Sequence, residues 1–194
     1  MLVNAAGRGR CFFAAALLFG IGIASAARAT VLDGPVVNPL NGHSYYLLDP
    51  SSWQDAEAQA IALGGHLASI NDAAEQNWVF SAFGTFGGVD RGLWIGLSDQ
   101  ASEGNFVWTS GEPLTYTNWI AGQPDNFAGS ENWVHLMKGN IGYVPGEWND
   151  LTSPNVIFSG FEPIQGVVEV PEPGTLLLAA LGALGLLIAA RRKR

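Results

Sequence analysis

Hydrophobic and polar positions change their period several times along the 194-residue chain, and each change predicts an element. From Gly42 to Leu48, "GHSYYLL" is a short run enriched in aromatics and predicts a strand. Helical spacing follows. Ser51 with Gln54 three residues on reads as a capping box, Trp53, Ala56, Ala60 and Leu63 form a stripe, and Gly64-Gly65 ends it. A second helix begins near Asn71 or Asp72, with Glu75 completing another box, and runs through Trp78 to about Ala82. Beyond it, short strands alternate with Gly, Asn and Pro turns: "LWIGL" at 93–97, "FVW" at 106–108, "WVHLM" at 133–137, "EWND" at 147–150 and "GVVEV" at 166–170. Two early helices followed by strands predict an α+β domain. The stretch from Ser110 to Ser130 carries few strand signals, and long loops of that kind are usually functional. With no fixed-period repeat and no low-complexity linker, one domain is the economical count.

The two ends have a different character. Arg8 and Arg10 precede an apolar run from Cys11 to about Ala24, and small residues follow through Ala29; this is the layout of a cleaved secretory signal peptide over residues 1–29. Its shortness and cleavage-like flank disfavour a first transmembrane helix. At the other end Val170-Pro171-Glu172-Pro173-Gly174 leads into an apolar run from Thr175 to Ala190 and then Arg191, Arg192, Lys193 and Arg194. Read plainly, this is a hydrophobic membrane helix with a cytoplasmic basic flank. The three parts in this order resemble the PEP-CTERM sorting signal of Gram-negative bacteria. That resemblance implies an inner-membrane-anchored precursor over residues 170–194, removal of the tail by an exosortase, and release towards the cell surface or exopolysaccharide matrix.

Setting both ends aside changes the charge. Residues 30–169 hold 16 of the 17 acids but only two bases, Arg91 and Lys138, a formal charge of 2 − 16 = −14. Binding to nucleic acid or an anionic membrane surface needs the opposite sign; this excess suits a cation. The one cysteine, Cys11, lies in the leader, so residues 30–169 have no thiol for nucleophilic, redox or zinc chemistry. His43, His66 and His135 are too scattered for paired zinc-ligand spacing.

Between Trp53 and Asp150, "WQDAEAQAIALGGHLASINDAAEQNWV", "LWIGLSD", "FVWTSGEPLTYTNW", "GQPDN" and "EWND" occur in an order and spacing that resemble a C-type lectin-like domain covering residues 30–169. The resemblance implies two helices, small antiparallel sheets and a long loop carrying a calcium and sugar site. It also implies a departure. Most animal members carry paired cysteines, whereas here Trp133 stands in the first such place and none occurs near the last strand. Hydrophobic packing must hold the loop instead, with bound metal as a further contributor to its order.

That loop, "AGQPDNFAGSEN" at 121–132, is rich in oxygen acceptors and lacks positive charge. Calcium takes six to eight oxygens, and the candidate ligands are Gln123, Asp125, Glu131, Asn149 and Asp150. Carboxylates supply charge, while the amides of Gln123 and Asn149 can also donate to a sugar hydroxyl, so the same residues would bind carbohydrate. The resemblance implies a cis Gln123–Pro124 bond, and it links the Gln-Pro-Asp order with galactose-type glycans. It places an aromatic for sugar stacking at Phe127, where a buried loop aromatic is the plainer alternative. A second calcium site would use Asp99, Glu103, Asn126 and Glu131, although "SDQASEGN" also reads as a solvated acidic turn. The tryptophans 53, 78, 94, 108, 119 and 133 read as core, and Trp148 as packing inward.

The expectation is an exported, calcium-dependent lectin without catalytic residues. The alternative is a lectin-like scaffold that binds protein, with purely structural calcium. Glycoside hydrolysis by two carboxylates is weakest, because metal would engage Asp125, Glu131 and Asp150 and depress their pKa.

Overall fold

A computed structural model describes residues 30–139, 142–152 and 164–172. The leader and the apolar segment after Pro173 lie outside the described residues, as does any helix there. Among the described residues no helix is long and apolar enough to cross a membrane.

Among the described residues, eight strands and two α-helices follow in the order β1 (Val31–Val37), β2 (Ser44–Pro50), α1 (Trp53–Ala62), β3 (His66–Leu67), α2 (Ala73–Phe83), β4 (Leu93–Ser98), β5 (Val107–Trp108), β6 (Trp133–Leu136), β7 (Trp148–Leu151) and β8 (Gln165–Val170). The sheet order is β1-β2-β8-β4-β6-β7, with β3 added on β8 and β5 on β4. Only the β4–β8 pairing is parallel among these strand pairs. Strands β1 and β3 escape the sequence patterns. β1 pairs only with β2 and is mostly exposed, so it shows no buried period, and β3 is two residues long.

Both helix starts are capped, one of them a residue later than expected. The N-cap of α1 is Ser52, whose hydroxyl accepts from the Asp55 amide at 3.1 Å, in place of the Ser51–Gln54 pair. Ser51 and Ser52 offer the same hydroxyl, and Asp55 decides between them because its carboxylate also accepts from Ser52 Oγ at 2.7 Å. Asp72 caps α2, accepting from the amides of Ala74 and Glu75, and Glu75 reaches back to the Asn71 amide at 2.8 Å.

Alternation along the strands buries both sheet faces. Leu93, Ile95, Leu97, Val134, Leu136 and Val167 join Val79 and Phe83 of α2 on one side. Trp94, Trp133 and Val168 meet Trp53, Ala56 and Ala60 of α1 on the other. Within "WIGL", Gly96 is required by close approach, because a Cβ there would lie 2.4 Å from the Leu67 carbonyl oxygen. The tryptophans expected in the core are there: 53, 94, 108, 133 and 148 are buried, and 78 and 119 pack against them partly covered.

His135 is the unusual member of this core. It sits edge-on to Trp94, fully buried, and neither ring nitrogen has a hydrogen-bond partner among the described residues. Burial therefore lowers its pKa to about 4. The unfolded chain takes up the proton near pH 6.5 and the native state only near 4, so native stability is intact above 6.5 and is lost as pH falls through that window. The predicted total is about 3 kcal/mol. Urea titrations of His135→Leu should lack this loss between pH 6.5 and 4; a variant with the unaltered pH profile would contradict the assignment.

Candidate metal and carbohydrate site

The acidic side chains arrive from one loop and two neighbouring strands. Asp125 lies in the loop between Trp119 and the short 3-10 segment Phe127–Gly129, Glu131 stands two residues before β6, and Asp150 is the third residue of β7. Strands β6 and β7 pair with Trp133 opposite Leu151 and Val134 opposite Asp150, which sets the entry to β6 beside the end of β7. As a result, Asp125, Glu131 and Asp150 each bring a carboxylate oxygen within 4.8 Å of the others. Asp150 is 0% exposed and Glu131 7%.

Backbone amides hold these carboxylates in place. Asp150 accepts from the amides of Asp125 at 3.2 Å and Asn126 at 2.9 Å, and Glu131 Oε2 accepts from the Phe127 amide at 2.9 Å. Asn126 returns the contact, its Oδ1 accepting from the Glu131 amide at 3.1 Å. These bonds fold the loop onto the strands and leave Asn126 with φ of 46°, a left-handed conformation that Asn tolerates better than most residues. The Gln123–Pro124 bond is cis, and Gln123 Oε1 is buried with no partner among the described residues.

Burial beside like charges disfavours ionisation of Glu131 and Asp150. Burial raises the Glu131 pKa to about 7, with Asp150 and Asp125 adding repulsion. Burial raises Asp150 too. A hard cation relieves both effects, and the donor set of carboxylates with an orphaned amide oxygen fits one.

The other expected residues divide. Asn149 lies on β7 beside Asp150, with its amide nitrogen donating to the Asp150 carbonyl. Phe127 is 72% exposed, which overturns the buried alternative for that ring. Asp99 is 1% exposed; its Oδ2 accepts from the Gly104 amide at 2.8 Å and its Oδ1 has no partner among the described residues. The Asp99 amide donates to the Asn132 carbonyl, next to Glu131. Glu103 is exposed in the turn that follows, and neither Asp99 nor Glu103 joins the three-carboxylate group.

One contributor carries no motif. Gln76 of α2 is buried, and its Oε1 accepts from Trp148 Nε1 at 2.7 Å while its Nε2 donates to the Gly146 carbonyl at 2.9 Å. The indole of Trp148 meets Trp108, Tyr116 and Trp119 at 79–81° between ring planes. Its amide donates to the Asn118 carbonyl, and the Ile120 amide returns a bond to its own carbonyl. Gln76 thus fixes the strand that presents Asn149 and Asp150. Its only trace in the sequence is a polar residue on the buried face of a helix.

The profile of the Lectin C-type domain matches residues 49–156, more than half the chain. The chain belongs to the C-type lectin domain family.

This C-type lectin domain is 38% identical over 118 residues to the alpha-N-acetylgalactosamine-specific lectin of Patiria pectinifera, covering 57% of this chain and 68% of that protein. Salivary C-type lectin 2 of Aedes albopictus is 36% identical over 105 residues, with 52% of this chain and 70% of that one covered. In structure, the human scavenger receptor C-type lectin carbohydrate-recognition domain matches with a TM-score of 0.57 at 27% identity, over 72% of this chain and 99% of that one. The C-type lectin fold, α+β, is therefore shown. The family binds carbohydrate and does not catalyse. The PEP-CTERM protein-sorting motif matches residues 169–194 and marks the lectin for export towards the surface or extracellular space, with exosortase processing.

Two outcomes test the site. Because a cation must displace the Glu131 proton, calcium affinity of this lectin should be level above about pH 7 and fall by up to roughly tenfold per pH unit below it. Calorimetry from pH 5 to 8 reads this directly, and an affinity independent of pH would refute it. Gln76→Ala should cost about 1–3 kcal/mol of stability and weaken calcium binding, with Gln76→Glu intermediate because it keeps the acceptor for Trp148. Melting curves and calcium titration of both variants measure the two effects separately.

Proposed function

We propose that the chain is an exported, calcium-dependent lectin for galactose-type glycans, with a leader at 1–29, a binding domain at 30–169 and a sorting segment at 170–194. Calcium is held by Gln123, Asp125, Glu131, Asn149 and Asp150, and the same groups with Phe127 take the sugar. Adjacent sugar hydroxyls give lone pairs to the ion, donate to the carboxylates and accept from the amides of Gln123 and Asn149. The apolar face of the hexose stacks on Phe127.

The observation that carries this reading is the convergence of three carboxylate oxygens within 4.8 Å on a loop bearing Gln123-Pro124-Asp125. Further support comes from the exposed ring of Phe127 and from the N-acetylgalactosamine specificity for which the Patiria pectinifera relative is named. A second ion at Asp99, Glu103, Asn126 and Glu131 is supported by the unpartnered, buried oxygen of Asp99. The precursor is anchored in the inner membrane through its C-terminal apolar segment and, after tail removal, acts at the cell surface or in the exopolysaccharide matrix. Single shallow sites bind weakly, so adhesion needs clustering.

Titrating the purified protein with calcium, then with galactose in the presence and absence of chelator, tests the proposal. Sugar binding should vanish with the chelator; calcium uptake without sugar binding would leave the domain as a scaffold with structural calcium. Asp125→Ala should weaken calcium by roughly tenfold or more and abolish sugar binding. The pair Gln123→Glu with Asp125→Asn should move preference towards mannose on a glycan array run with and without calcium; an unchanged array would count against the assigned ligands.

A further inference from the structure

Among the described residues, no Lys or Arg side chain stands beside the carboxylates of the loop. Between residues 30 and 172 the sequence contains only two Lys or Arg side chains, Arg91 and Lys138. Both are buried, at 6% and 9% exposure. Arg91 donates to the Phe86 carbonyl at 2.7 Å and lies 5.6 Å from the centre of the Phe86 ring, so its guanidinium is held against its own loop. Both also sit at the wrong end of the sheet. Strands β4 and β6 are antiparallel, with Ser98 opposite Trp133 at the end near Glu131 and Leu93 opposite Leu136 at the other. Arg91 precedes Leu93 and Lys138 follows Leu136, which puts them at that distant end. Seven residues of extended chain separate Glu131 from Lys138, about 20 Å. That is more than two Debye lengths at physiological salt.

The histidines do not fill the gap. His43 Nδ1 contacts Glu169 Oε1 at 2.5 Å, His66 Nδ1 contacts Glu57 Oε1 at 2.7 Å, and His135 is buried among aromatics. Each half-buried imidazole is thus already faced by a carboxylate.

We infer that the site selects uncharged sugars and discriminates against glycans bearing carboxylate or sulfate, so that its ligand in the matrix is a neutral polysaccharide or neutral branches of a mixed one. This inference rests on the calcium–galactose reading and narrows it. Three carboxylates and one divalent ion leave a net local charge of 2 − 3 = −1, and a second ion counted with Asp99 and Glu103 leaves it at 4 − 5 = −1. An anionic group on the ligand meets that residual charge and the acidic field of the surrounding surface, and no Lys or Arg is there to receive it. A neutral hexose gives the same hydroxyls to the ion and meets neither cost.

The magnitude is modest and salt-dependent. One like charge a few ångströms away on a wet surface weakens binding by roughly threefold to tenfold at low ionic strength, and screening shrinks the effect. Competition with three small ligands isolates charge from shape: methyl galactoside, methyl galactosiduronate, and the methyl ester of that uronate. They compete for the full-length protein, in calcium, against an immobilised neutral galactan.

The galactoside and the ester should compete within about twofold of each other, and the free acid should be roughly threefold to tenfold weaker at 50 mM salt, with the gap narrowing at 500 mM. Acid and ester competing equally at both salt concentrations would overturn neutral-sugar selectivity while leaving the lectin reading intact. Failure of the galactoside itself would instead remove the galactose reading, and this inference with it.

Discussion

Like charges brought together by the fold are the constraint around which the functional end of this molecule is built. Asp125, Glu131 and Asp150 come from a loop and from the facing ends of two paired strands, and their oxygens lie within 4.8 Å although Asp150 is fully buried. Repulsion and desolvation both oppose this arrangement, as the raised pKa values of Glu131 and Asp150 record. Amides of Asp125, Asn126 and Phe127 offset part of the cost, but amides carry no formal charge. On the proposed reading a divalent ion offsets the rest, and the coordination it keeps open is what a sugar would use. The poverty of cations in the domain follows the same logic, since a nearby lysine would compete with the ion for these oxygens.

The frame that holds the carboxylates together is apolar. Residues 30–169 contain no cysteine, so no covalent tie closes the loop. Trp148 does much of that work: three aromatic rings pack edge-on against its indole, Gln76 accepts its N–H, and its backbone bridges to the strand-like segment around Trp119. The next two residues of β7 are Asn149 and Asp150, so ordering the hub also orders the ligands. Two sheet faces, each covered by one helix, make the platform stiff enough to hold a cluster that electrostatics would otherwise spread apart.

Much of this was legible in the sequence, for reasons that differ by element. Strands β4 and β6–β8 announce themselves because buried residues recur in them with β-branched and aromatic side chains, and α2 announces itself by its Asp72 cap. β1 does not, because an exposed edge strand has no buried face to set a period. The start of α1 falls one residue later than the pattern suggests, since two adjacent serines offer equal caps and only the three-dimensional position of Asp55 separates them. The convergence of Asp125, Glu131 and Asp150 was foreshadowed because oxygen-bearing side chains cluster along the loop and in "EWND". Gln76 was not, since its partners, Gly146 and Trp148, are 70 and 72 positions away. The exposure of Phe127 was equally hidden, because an aromatic in a loop reads the same whether its ring faces in or out.

Export and binding thus meet in one short chain, with a sorting motif that begins at residue 169, the penultimate residue of the last strand. The most direct measurement is a crystal structure of the protein grown in calcium. Density for an ion with six to eight oxygen neighbours at about 2.3–2.6 Å, three of them from Asp125, Glu131 and Asp150, is the result expected. Ion-free carboxylates bound only to backbone amides and water, in crystals grown at millimolar calcium, would contradict it.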